Sequence, residues 1–120
     1  MSTLSYLNAL IDGCLSEIRY FDDNNRRNLQ RIALTEAKIK SLQEDVADIK
    51  SVMELGVVFR PDINDRLVAD LKWTNNQLQE ATLDLVSARQ RKETDDQLRL
   101  RWHAQANELR KARDKYKESL

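Results

Sequence analysis

Helix breakers, cross-linkers and metal ligands are what this 120-residue chain has least of: one proline, two glycines, one cysteine and one histidine. Average usage is about 7% Gly and 5% Pro, so turn chemistry is too scarce for a β-sandwich, a barrel or a many-stranded α/β domain. A lone cysteine cannot form an internal disulfide, and one Cys with one His falls short of a protein zinc site. A carboxylate-bridged di-metal site needs two Glu-x-x-His motifs, which one histidine cannot supply. There is no glycine-rich loop to cradle a phosphate. No apolar run approaches the roughly 18 residues of a membrane span, and the first residues lack the basic start and apolar core of a signal peptide. Twenty basic residues balance twenty acidic ones, so nucleic acid is not expected as a partner. These absences predict a soluble, intracellular, cytoplasmic, all-α protein with no cofactor and no metal. They also predict that it is not an enzyme, because no nucleophile and base can be assembled around Cys14 or the single His103.

What the sequence does contain is a seven-residue period. With Leu4 as position a, the a series of the first half is Leu4, Ile11, Ile18, Asn25, Ile32, Ile39, Val46 and Met53. The d series is Leu7, Cys14, Phe21, Asn28, Thr35, Leu42, Ile49 and Gly56; twelve of these sixteen positions are apolar, which indicates supercoiled packing rather than an ordinary surface helix. In the second half d falls at Leu67, Thr74, Ala81, Ala88, Asp95, Trp102, Leu109 and Tyr116, and a at Leu71, Leu78, Leu85, Lys92, Arg99, Ala106, Arg113 and Leu120. That seam is polar from 89 to 99, where a stutter or frayed stretch is expected. The breakers cluster at Gly56–Asp62, with Gly56 suited to a left-handed helix end and Asp62 or Asn64 to capping the next helix. The expectation is one domain over 1–120: a first arm at about 3–55, a turn at 56–62 and a second arm at about 63–118.

Two features predict that the arms fold on each other as an antiparallel two-helix hairpin coiled coil. If the chain turns near residue 59, the polar pair Asn25 and Asn28 meets the polar part of the second seam around 90–93, so that Asn25, Asn28, Lys92 and Asp95 form a layer that fixes register or acts as a hinge. Charge agrees. Residues 1–25 hold one basic and four acidic side chains, net −3, while 99–120 hold seven basic and three acidic, net +4. Exposed pairs each contribute well under about 1 kcal/mol, so charge selects orientation more than it stabilises.

A hairpin needs one seam, yet large apolar residues also lie off it. Tyr20 and Leu34 on the first arm, and Trp73, Leu83 and Val86 on the second, suggest a further apolar surface, with Leu34 level with Leu83 and Val86. Such a surface predicts a protein partner: a homodimer closing a four-helix bundle, or a hetero-assembly through helices. Val57, Val58 and Phe59 at the turn form either a plug for the end of the seam or a docking knob. Ile or Val at a, Leu at d and a buried Asn at a also match parallel two-stranded coils, in which Cys14 would face its twin. The basic stretch Arg110, Lys111, Arg113, Lys115 and Lys117 suits a helix C-terminus.

The functional expectation is a non-enzymatic coiled-coil structural or interaction protein that self-associates or docks on a helical partner in a larger assembly. In arm length, hairpin topology and composition the chain also resembles the two-helix stalk proteins of flagellar and injectisome export ATPases. Small secretion chaperones that mask a partner's coiled coil are similar in the same respects. That resemblance implies a secretion or export-apparatus component. A third expectation is a small adaptor or inhibitor, of viral type, that occludes a partner protein.

Overall fold

The computed structural model describes residues 2–120, which form two helices, α1 (Thr3–Met53) and α2 (Pro61–Glu118), packed as a hairpin with no strand among the described residues. Each boundary follows from local chemistry. Ser2 caps α1: its Oγ accepts the Ser5 amide at 3.1 Å and its carbonyl accepts the Tyr6 amide at 2.9 Å. The helix closes with a tightened turn, Leu55 N–H to the Val52 carbonyl at 3.3 Å, followed by Gly56 at φ 73°, a conformation open to glycine and costly for other residues. Pro61 then opens α2 as its first residue, where its missing N–H would have no intrahelical partner. The cap position therefore falls at Arg60, two residues before the expected Asp62 and four before Asn64. The Asn64 amide bonds back to the Arg60 carbonyl at 2.9 Å, and Asp62 lies in the first turn with its carboxylate 3.4 Å from the Arg60 guanidinium.

The chain divides into two compact units, Met1–Leu29 with Gln90–Leu120, and Gln30–Arg89. In the first, Ile11, Cys14, Ile18, Phe21 and Ala106 are buried, with Leu15, Trp102 and Leu109 packed against the centre of that core. In the second, Leu42, Thr74, Ala81 and Ala88 are buried, and the Thr74 hydroxyl is satisfied by the Asp70 carbonyl at 2.8 Å. The buried apolar residues of α2 are all small, Ala81, Ala88 and Ala106, whereas those of α1 are mostly large. Ala106 is fully covered, with 0% of its surface exposed, so the two backbones approach closely there and an added methyl would have no room.

The heptad register is observed as assigned. Every a and d residue from Leu4 to Met53 and from Leu67 to Tyr116 is buried or half-buried. Two expectations are corrected. No stutter or frayed stretch interrupts 89–99: α2 is helical throughout, and Lys92, Asp95 and Arg99 hold half-buried seam positions. Long aliphatic stems let Lys92 and Arg99 lie along the seam while their charged ends reach carboxylates. The level of the arms also differs from a turn centred on residue 59. In the first unit Asn8 meets Arg113, Asp22 meets Arg99 and Asn28 meets Asp95; in the second, Glu36 meets Arg89. These partners lie three to seven residues further along α2, because α2 begins at Pro61 and the chain reverses at its first turn rather than at Phe59.

Candidate protein-interaction surface

The seam of the first unit carries a polar layer around Asn28. Asn28 is 6% exposed and donates from Nδ2 to Asp95 Oδ2 at 2.8 Å, across 67 residues of sequence. Beside it, Arg99 Nη1 reaches Asp22 Oδ1 at 3.5 Å, and Lys92 Nζ donates to Asp96 Oδ2 at 2.7 Å within α2. Asn25 Oδ1 and Arg99 Nε are buried with no hydrogen-bond partner in the chain. The four residues expected to form the layer thus divide. Asn28 and Asp95 bond each other, Lys92 turns to its own helix, and Asn25 contributes a buried acceptor without a donor. Asp22, Asp96 and Arg99 complete the layer. The sequence signalled Arg99 as a charge at an a position and Asp22 as an acid in the polar stretch preceding Asn28.

Off the seam, Tyr20, Leu34, Trp73, Leu83 and Val86 are all exposed, Leu34 at 73%. Their heptad positions show that they do not make one stripe. In the second unit Leu34 and Trp73 sit at c, flanking the g side of the seam, whereas Val86 at b flanks the e side and Leu83 at f points away from it. Glu36 pairs with Arg89, so of the two α2 residues Val86 lies nearer the level of Leu34 than Leu83 does. In the first unit Tyr20 is at c and stands edge-on to the buried Phe21 ring, with centroids 5.2 Å apart.

Both units carry a groove on the g side. In the second, Asp45, Asp48, Ile49, Asp70, Trp73 and Thr74 line a shallow depression of about 330 Å³. In the first, a deeper and more apolar groove of about 520 Å³ is lined by Leu10, Gly13, Cys14, Trp102 and Leu109, with Glu17 and Gln105 at its polar edge. At the turn, Val57 and Val58 are exposed, Val58 at 97%, while Phe59 is half-buried. The three consecutive residues therefore do different things: Phe59 folds inward and the valines face solvent, next to exposed Leu55 and Ile63.

The remaining candidates carry little chemistry. Cys14 is a buried free thiol in the core with Ile18 and Ala106, and His103 is exposed at an e position flanking the seam. Because the d position of Cys14 packs on α2, the α1 seam is not open to a parallel coil of two α1 helices with the thiols facing each other. In the basic C-terminal stretch, Arg110 bonds Asn107, Lys111 pairs with Glu108, and Arg113 reaches Asn8 at 3.3 Å. Among the described residues, no group of three or more His, Cys, Asp or Glu side chains is placed to hold a metal ion, and no helix is long and apolar enough to cross a membrane. Compared with protein-family models, curated proteins and solved structures, the chain gave no match to any of them.

Proposed function

We propose that the chain is a non-enzymatic interaction protein, a helical hairpin whose seam serves folding and whose exposed apolar residues serve association. The observation that carries this reading is the set of large apolar side chains left uncovered after the seam is filled: Leu34, Trp73 and Leu83 along the second unit, Val57 and Val58 at the turn, and Tyr20 in the first. Scattered apolar exposure is ordinary on monomers. Here, however, Leu34 and Trp73 lie on the same side of one unit, and Leu55, Val57, Val58 and Ile63 are exposed within nine residues about the turn, a density of apolar exposure that supports a contact surface. The partner would be helical or a second copy, docking by ridges and grooves as helices do.

Charge substitutions at these positions test the reading. Leu34→Glu, Trp73→Glu and Val58→Glu should leave melting nearly unchanged, since these side chains contact little in their own chain. Each should weaken association, read as sedimentation mass for a self-assembly and as recovery of bound protein from the native host for a hetero-assembly. Association unaltered by all three would overturn the assignment.

A further inference from the structure

We propose that the flank of the second unit formed by its c and g positions is the docking surface for a lysine- or arginine-rich amphipathic helix of another protein. The inference rests on the reading of association above and names the surface and the chemistry of its partner. Both helices contribute to this flank: Asp45, Asp48 and Ile49 of α1 line one depression with Asp70, Trp73 and Thr74 of α2. Within Gln30–Arg89 its c and g positions hold five acids, Asp45, Asp48, Asp70, Glu80 and Asp84, against three bases, Arg31, Lys38 and Arg66, net −2. The b and e positions on the other flank hold Glu36 and Asp65 against Lys40, Lys50, Lys72 and Arg89, net +2. The unit thus has one acidic flank and one basic flank.

The acids of the c and g flank do little for the fold. All five are exposed, and among the described residues only Asp70 pairs with a cation, the Arg66 guanidinium at 3.9 Å. Carboxylates gathered on one flank repel one another, and a cationic partner turns that repulsion into attraction. The same flank exposes Leu34, Val52, Ile63 and Trp73, whereas the basic flank exposes two valines, Val68 and Val86. Apolar side chains set among acids are the counterpart of a helix whose apolar face is edged by lysine or arginine. The Trp73 indole, 62% exposed, also offers a face on which a partner cation can stand. Acidic charge repels phosphate, which sets nucleic acid and anionic membranes aside.

A synthetic Leu/Lys amphipathic helix of about 20 residues, roughly 30 Å long, is the probe, and a Leu/Glu helix of the same pattern is its counterpart. The full chain should bind the Lys helix, less tightly as salt is raised, and should not bind the Glu helix. Asp45→Asn with Asp48→Asn should weaken that binding about tenfold, and Trp73→Ala by a similar factor. Glu36→Gln with Asp65→Asn removes the same charge from the basic flank and should change binding less than about twofold. Melting should hold in every variant, since all these side chains are exposed. Failure of the Lys helix to bind, equal binding of the two probes, or equal losses in the two double variants would overturn the proposal. So would a free chain whose self-association is abolished by Trp73→Ala, because a second copy would then occupy this flank. If the probe fails and Val58→Glu still weakens association, the broader reading stands and only this surface is wrong.

Discussion

Asn28 on α1 donates to the carboxylate of Asp95 on α2 at 2.8 Å from a site where only 6% of its surface meets solvent. A buried amide bonded to a charged acceptor is costly to break, because removal leaves the carboxylate without its donor. Asn28→Ala should therefore destabilise the fold by about 1–3 kcal/mol in urea denaturation. Replacing both partners, Asn28→Leu with Asp95→Leu, should recover much of that loss, as apolar pairs of similar volume often match or exceed buried polar ones. Additive losses in the double mutant would mean that the two side chains are not coupled.

Ala106 is the tightest point of the first unit. Ala106→Leu forces a branched side chain between Cys14 and Ile18 and should cost about 1–3 kcal/mol. The same change at exposed Ala104 of α2 should lie within about 0.5 kcal/mol of the wild type. Thermal melts of the two variants provide the comparison.

The turn separates two neighbouring side chains. Phe59→Ser removes a half-buried ring and should lower stability by about 1 kcal/mol or more. Val58→Ser changes a residue that is almost wholly exposed and should stay within about 0.5 kcal/mol. Equal losses would place both side chains in the end of the seam.

The polar layer lies next to the division between the two units, which falls after Leu29 on α1 and before Gln90 on α2. Local opening concentrates where apolar contacts are few. Amide exchange measured by mass spectrometry should accordingly be faster over 22–28 than over 39–49, where Ile39, Leu42, Val46 and Ile49 fill the seam. Equal protection would assign the layer to register alone.

The fold was legible because a heptad states its own buried face: a and d residues assigned from spacing are the covered ones, down to Lys92 and Arg99. The level of the arms was legible only to within about a heptad. Breakers mark where a helix stops, but the path of the connector decides which residue faces which, and Pro61 sits inside α2 rather than between the helices. Asn28 with Asp95 could be anticipated as polar residues in facing seams. The roles of Asp22 and Arg99 could not, since a long guanidinium stem reaches a flanking carboxylate only once the level is set. The groove at Gly13 was hidden for a different reason. A glycine in a heptad reads as a weak helix residue until its surroundings are seen to be open.

The exposure of Leu34, Trp73 and Val58 depends on the α1 seam being filled by α2 of the same chain. Nitroxide labels at Asn8 and Arg113, which bond in the first unit at 3.3 Å, test this by dipolar spectroscopy on labelled protein diluted into unlabelled protein. Helix axes in contact lie about 8–10 Å apart, so the account predicts a short distance, within about 20 Å, whose amplitude is unchanged by dilution. A short-distance signal that disappears on dilution would show the seam filled by another molecule and would contradict the account.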